Sequence, residues 1–331
     1  MTVPALYPLL FEPKFQYRLW GGRRLGEWMG SALPADEPIG EAWVLSDRDG
    51  FSSVVAEGPL KGMTLTQLMT HRREDILGNQ AVAHDRFPLL LKFLDVRQML
   101  SVQVHPRDDQ VGLIPKGDTG KSEAWIVLEA DPQSRIYAGL VPGVTEADLR
   151  GLTKETAETH LPSFHPEPGQ GVMIEAGTVH SLGEGVTVFE VQENSDVTFR
   201  LYDWDHVDPR TGRPRDLQVD QALACIDLEQ GPIKPVIPSV ETTAPAPRDW
   251  LFDDPHFQLW RQRGEAPFRV GFEGSARVLV CIEGGGEIQH GGPAVRLDRG
   301  GVALLPAALG ACQFRPDGRA CLLEIAIPDL P

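Results

Sequence analysis

The sequence predicts a mainly β protein: two jelly-roll β-sandwich domains, with a few helices attached to the first. Three observations carry this. Glycine and proline are abundant, 34 and 28 of 331 residues, and are spread throughout the chain. The segments between them are short and β-rich, and apolar spacing of helical type occurs in only three places. Regularly punctuated short strands suit a sandwich or jelly roll better than a parallel βαβ sheet.

Taken in order, the β-rich runs are Ser53-Val-Val-Ala56, Leu100–Pro106, Ala124-Trp-Ile-Val-Leu128 and Val186–Val191. The helical segments follow a different rule. Thr64 to Leu77 carries apolar residues at 65, 68, 69, 76 and 77. Thr145 to about His160 opens with a capping threonine and acids in its first turn. Asp216 to Leu228 places apolar residues at 217, 219, 222, 223 and 226. Residues 231–250 are too proline-rich for helix or central strand and read as a connector. Beyond it lie Arg277–Ile282, a Gly284-Gly285-Gly286 turn, Glu287–Gln289, Gly301–Leu305 and Ala320–Ile325. The expected domains are residues 1–235 and 236–331, and their similar glycine-punctuated strands suggest a duplicated fold.

Composition narrows the function. No apolar run approaches the ~20 residues that cross a bilayer. The N-terminus lacks the pattern of a secretory leader, so the cytoplasm is the expected location. A net charge of −16 disfavours nucleic acid and anionic membrane as partners. An anionic small molecule would therefore need its own local cations. Cys225, Cys281, Cys312 and Cys321 show no CxxC spacing and read as buried small apolar residues. Oligomeric state is not legible.

The chemistry concentrates in a few stretches. In Leu100-Ser-Val-Gln-Val-His-Pro106, strand alternation places Ser101, Gln103 and His105 on one face. Glu123 opens the next β-run, and Gly171-Val-Met-Ile-Glu-Ala-Gly-Thr-Val-His180 ends on a second histidine. Gln103, His105, Glu123 and His180 offer two nitrogen and two oxygen donors, a set suited to Zn²⁺, with Fe²⁺, Mn²⁺ or Co²⁺ as substitutes. By spacing alone a lone strand histidine is more often a hydrogen-bonded, partly buried residue than a ligand. The other seven histidines sit in helical, loop or isolated contexts, and His290 stands in a glycine turn.

Ser-Val-Gln-Val-His-Pro, Lys121-Ser-Glu-Ala-Trp125, Ala176-Gly-Thr-Val-His180 and Glu190-Val-Gln-Glu-Asn-Ser-Asp-Val-Thr-Phe-Arg200 resemble motifs of the type I mannose-6-phosphate isomerases in their short bacterial form, members of the cupin superfamily. Phe11-Glu-Pro-Lys, Leu19-Trp-Gly-Gly22 and Gly40-Glu-Ala-Trp43 are similar to that family's opening. The resemblance implies two cupin-type jelly rolls, the second degenerate, and one zinc ion per chain held by Gln103, His105, Glu123 and His180. It implies Arg200 and Lys121 as catalytic and substrate-binding residues, Ser101 near the substrate phosphate, Lys92 in the same pocket and Trp20 on its wall. Glu190 is the favoured proton-transfer base, with Glu193, Lys121 or a metal-bound water as alternatives. Trp20, Glu41 and Trp43 resemble pocket residues for which a structural role is at least equally open. One departure is visible: Glu175 stands where many members have proline, which touches a turn rather than a ligand. The implied reaction interconverts mannose 6-phosphate and fructose 6-phosphate through an enediol. The alternatives are another cupin metalloenzyme, such as an iron oxygenase, or a sugar-phosphate-binding protein without turnover.

Overall fold

The computed structural model describes residues 4–34, 36–241 and 247–329. Four antiparallel sheets are stacked in layers among these residues. A six-stranded sheet (Lys14–Gly22, Ile39–Leu45, Leu89–Val96, Glu123–Ala130, Gly171–Ile174, Val186–Glu193) faces a five-stranded sheet. The latter is built from Val102–Val104, Ile136–Ala138, Ser163–Phe164, His180–Leu182 and Phe199–Tyr202. A seven-stranded sheet, containing Gln258–Gly264, Arg277–Glu283, Val302–Leu305 and Ala320–Ala326, faces a four-stranded one made of Phe268–Val270, Gly285–Gln289, Val295–Asp298 and Cys312–Pro316. The expected mainly β, cupin-type architecture is therefore present.

The two sandwiches pack back to back, and strand alternation explains how. Along Leu89–Val96, Leu89, Leu91 and Phe93 point one way and Lys92, Leu94 and Val96 the other. The first set joins Ala124, Ile126, Phe189 and Val191 in a core shared with Leu259, Val278, Val280, Leu304, Leu323 and Ile325 of the seven-stranded sheet. The second set faces the five-stranded sheet, where Leu94, Val127 and Val188 meet Ile136, Ala138 and Leu182. Both central sheets are thus covered on two faces, which is why Leu89–Val96 and Val186–Glu193 are buried at every position. Leu9–Leu10 adds to the edge of the seven-stranded sheet, Leu9 opposite Leu304, so the start of the chain is tied to the last sandwich.

Helices cover the outer face of the five-stranded sheet, burying Leu149, Ala157, Ala222, Leu223 and Cys225 against Val102, Val104 and Phe199. The first of the expected helices, Leu65–Leu77, starts where expected, with Thr64 and Gln67 forming a capping box; a short helix, Arg24–Trp28, precedes it. Four segments differ from expectation. The segment from Thr145 to His160 is two helices, Glu146–Arg150 and Lys154–His160, because Gly151 leaves the helical region and Thr153 caps a new start. The third helix is only Val219–Cys225, since Ile226 is already extended. Ser53–Ala56 makes single bridges (Val54 with Thr64, Val55 with Phe11) rather than a strand; Gly58, at φ +76°, turns the chain away before a ladder can extend. Of the three glycines expected to form a turn, only Gly284 does so, and Gly285 already opens a strand. The proline-rich connector lies partly outside the described residues, at 242–246; within it Ser239–Glu241 pairs with Arg248–Asp253. No helix among the described residues is long and apolar enough to cross a membrane.

Candidate functional site

Strand register builds the site. Across the six-stranded sheet Trp43 lies opposite Lys92, Lys92 opposite Glu190, and Glu190 opposite Trp125. One row along, Gln192 lies opposite Glu123. Across the five-stranded sheet Arg200 lies opposite Gln103, and Gln103 opposite His180. Residues in one row point to one face. The two rows face each other at one end of the space between the sheets, where apolar packing gives way to polar side chains.

His105, Glu123 and His180 converge there, their ligand atoms within 4.8 Å of one another and all three side chains buried. His105 Nε2 is 3.5 Å from Glu123 Oε2, and His180 Nε2 is 3.4 Å from Oε1. Each imidazole directs Nδ1 to a main-chain carbonyl, Val197 O at 2.8 Å and Thr178 O at 2.9 Å. An Nδ1–H donated to those oxygens leaves both Nε2 lone pairs aimed at the centre, the orienting arrangement that metal-binding histidines need. Burial pushes the His105 pKa down to about 3 and lowers that of His180, so both rings are neutral. Burial would raise the Glu123 carboxyl, but Lys121 and then His105 hold it well below the usual range. Its Oε2 is buried without an aligned hydrogen bond, although Lys121 Nζ is 2.9 Å away. Neutral imidazoles, an ionised carboxylate and an orphaned carboxylate oxygen are the donor set a divalent cation takes.

Gln103 completes this group. Its Nε2 is 3.2 Å from His180 Nε2, while its oxygen accepts the Ser101 hydroxyl at 3.0 Å. Turning the amide over would present the oxygen instead. Ser101 is buried, and its hydroxyl bonds to Gln103 rather than lining the cavity.

A cavity of about 380 Å³ opens beside this centre, lined by Gln103, Lys121, Lys92, Glu190, Trp20 and Arg200 among others. Glu190 accepts the Trp125 Nε1–H at 2.9 Å through Oε2; its Oε1 has no hydrogen bond and lies 3.4 Å from Lys92 Nζ. Burial, and then Glu123, raise the Glu190 carboxyl above its ordinary range. Glu41 differs: burial opposes ionisation, yet Arg18, Lys92 and the Trp43 N–H hold it down to about 2. Lys92 is raised, burial being outweighed by Glu41 and Glu190. These groups form one charged wall, Arg18–Glu41 at 2.7 Å leading to Lys92 and Glu190.

The structure thus brings together Gln103, His105, Lys121, Glu123, His180, Glu190 and Arg200, with Lys92 and Trp20 on the cavity wall. Glu193 lies apart from the cavity, bonded to the Ser122 N–H. Sequence reasoning missed Arg18, Asp196, Asp208 and Arg215, which also line the cavity. Arg18 was findable, being two residues before Trp20 and so on the same strand face. The others sit in loops, where no periodicity applies.

Comparison with known proteins agrees with this geometry. Residues 9–120 match the family described as phosphomannose isomerase type I, catalytic domain. The chain is 31% identical over 320 residues to mannose-6-phosphate isomerase ManA of Bacillus subtilis, covering 96% of this chain and 98% of that protein. It is 30% identical over 315 residues to the mannose-6-phosphate isomerase of Streptococcus mutans, covering 94% and 96%. The crystal structure of the mannose 6-phosphate isomerase from Bacillus subtilis superposes with a TM-score of 0.87 at 29% identity, over 97% of this chain and 99% of that one. Likeness in sequence and in fold, each across nearly the whole length of both partners, places this chain in the type I phosphomannose isomerase family.

Proposed function

We propose that this protein interconverts mannose 6-phosphate and fructose 6-phosphate, with Zn²⁺ held by Gln103, His105, Glu123 and His180. The observation that carries the reading is the convergence of two neutral imidazoles, an amide and a carboxylate with an orphaned oxygen beside a polar cavity containing Glu190 and Lys92. Two nitrogen and two oxygen donors suit zinc. When bound, a divalent ion supplies Lewis-acid polarisation of the substrate's oxygens.

The chain's own residues account for the rest. Aldose–ketose interconversion moves a proton between C2 and C1 through an enediol. A carboxyl raised toward neutrality can take that proton and return it. Glu190 has this character, and its Oε1 has no hydrogen bond, with the Lys92 ammonium 3.4 Å away. The Trp125 N–H on its other oxygen fixes the rotamer. Lys121 and Arg200 supply positive charge where the carbonyl oxygen gains negative charge. Trp20 walls the cavity, and Ser101 positions Gln103.

The test is a coupled assay of fructose 6-phosphate from mannose 6-phosphate, run with metal analysis. Activity lost to chelator, restored by zinc, and absent in His105→Ala is expected. Zinc-replete folded protein that binds mannose 6-phosphate without turnover would replace the isomerase by a binding protein. Turnover indifferent to chelation would sink the metal assignment.

A further inference from the structure

Along Val186–Glu193, Phe189 and Val191 point into the core shared by the two sandwiches, and strand alternation sends Glu193 the same way. At the rim of that core it meets two residues from distant parts of the chain. His256 stands on the turn between Arg248–Asp253 and Gln258–Gly264, in the second sandwich, and Asp108 on the loop that follows Val102–Val104, in the first. Each of the three offers one ligand atom, and these atoms lie within 4.8 Å of one another. Glu193 Oε2 is 3.4 Å from His256 Nδ1. Donors held by a tetrahedral ion at about 2.1 Å stand about 3.4 Å apart.

The fold holds each residue and leaves a ligand atom over. Asp108 Oδ1 accepts the Gly120 N–H at 2.8 Å, and Glu193 Oε1 accepts the Ser122 N–H at 2.8 Å. The main-chain N–H of His256 donates to Asp254 Oδ1 at 2.9 Å, which closes the turn beneath its ring. Glu193 is only 5% exposed, yet its Oε2 accepts no hydrogen bond among the described residues. That buried, unused oxygen is aimed at the imidazole, at a separation too long for a good hydrogen bond. No lysine or arginine pairs with Asp108 or Glu193 among the described residues, so two carboxylates share one imidazole. Burial pushes the Glu193 carboxyl up, and Asp108 and Asp254 add to the rise. The arrangement is thus short of positive charge. Asp108 is exposed and His256 half-buried, which leaves one side open for an ion and its waters to enter.

We propose that Asp108, Glu193 and His256 form a second divalent-cation site, which clamps the two sandwiches together at the rim of their shared core. One imidazole nitrogen and two carboxylate oxygens suit zinc, manganese or cobalt, with water completing the shell; calcium takes oxygen ligands alone. The clamp has a second attachment. The N–H groups that Asp108 and Glu193 hold belong to Gly120 and Ser122, on either side of Lys121, so the ion also steadies the segment from which Lys121 and Glu123 reach the cavity. The site goes beyond the isomerase reading and does not depend on it.

The test titrates the full-length, metal-stripped chain with Co²⁺ or Zn²⁺ alone, counting bound ions and following the cobalt absorption bands. Wild type should take up two ions per chain. His105→Ala should keep the ion at the junction, and His256→Ala should keep only the one beside the cavity. Loss of a ligand should weaken the junction ion by at least about 10–100-fold, the cost of losing even an outer-shell partner. The clamp has its own readout: zinc should raise the melting temperature of His105→Ala by several degrees, and the rise should vanish in the His105→Ala, His256→Ala double variant. If His256→Ala does not fold, Asp108→Asn, which keeps the acceptor for Gly120, should weaken the junction ion in the same way. A single ion in wild type that is lost in His105→Ala would overturn the proposal. So would a second ion whose affinity neither His256→Ala nor Asp108→Asn changes. A single ion kept in His105→Ala and lost in His256→Ala would support the junction site while removing the ion assigned beside the cavity, so the two readings fail separately.

Discussion

The two sandwiches share one plan, yet their interiors differ. Between the seven- and four-stranded sheets the space is closed by Phe268, Phe314, Ile288, Leu297, Leu279 and Cys281, with Cys312, Ala303 and Leu322 filling gaps. Its buried carboxylate, Glu324, is raised by burial, which Arg277, Arg248 and the Gly271 N–H partly offset from within the fold. Between the six- and five-stranded sheets apolar packing stops midway. The remaining space is given to Glu123, His105, His180, Gln103, Lys92 and Glu190, whose hydrogen-bonding capacity is only partly used. Glu123 Oε2, Glu190 Oε1 and Arg200 Nε are all buried without a hydrogen bond. The lesson is that the layers do not make a site. A carboxylate closed off by arginines is structure, whereas one facing neutral imidazoles across a cavity is a place for a ligand.

Substitutions in the two interiors should separate function from stability. The largest effect is expected from His180→Ala. Removing one of the proposed ligands and its lone pair should cost about 10³-fold in turnover, with metal content falling in step. The loss of stability should be smaller than for an apolar core residue, because the variant also no longer buries a polar ring. Retained turnover, or a melting temperature that falls as far as for a core deletion, would erase the contrast. The converse substitution is Phe314→Ala, fully buried and 5.4 Å from the Phe268 ring. It should lose about 3–5 kcal/mol of unfolding free energy. Its kcat/KM per folded molecule should stay at the wild-type value, and a specific loss of kcat would show that the second sandwich shapes the site.

Much of this was legible because strand chemistry is periodic. Ser101, Gln103 and His105 alternate through Val102 and Val104, and that alternation put two donors on one face before any pairing was known. Glu123 and His180 came from motifs opening or ending β-runs. Register was not legible. Nothing local says that Glu190 sits opposite Lys92 or that Arg200 sits opposite Gln103, because the pairing is between segments 98 and 97 residues apart. Ser101 shows the limit of carrying a role by motif: it is on the expected face, but its hydroxyl is used by Gln103. The split of 145–160 into two helices hung on Gly151, whose effect depends on the capping box that Thr153 forms with Thr156.

The smallest effect should appear where the sandwiches meet, at Glu193. This residue ends a strand of the six-stranded sheet, accepts the Ser122 N–H at 2.8 Å, and lies 3.4 Å from His256 Nδ1 of the second sandwich. Burial pushes its carboxyl up to about 7; Asp108 and Asp254 add to the rise, while His256 and the Ser122 N–H oppose it. A raised carboxyl means that the folded state keeps a proton the unfolded chain has released. Below the ordinary value of 4.5 both states are protonated and the group costs nothing. As pH rises from there to about 7 the unfolded chain ionises first, so stability falls, and above that window the penalty is constant at about 1–3 kcal/mol. Glu193→Gln keeps the acceptor for Ser122 and removes the proton equilibrium. In chelator, its denaturation midpoint should match wild type near pH 4.5 and exceed it at pH 8, and turnover of the zinc-loaded enzyme should change little at a residue outside the cavity. Parallel pH dependences in variant and wild type would mean that the junction leaves Glu193 freely ionised, and that polar strain in this molecule is confined to the cavity of the first sandwich.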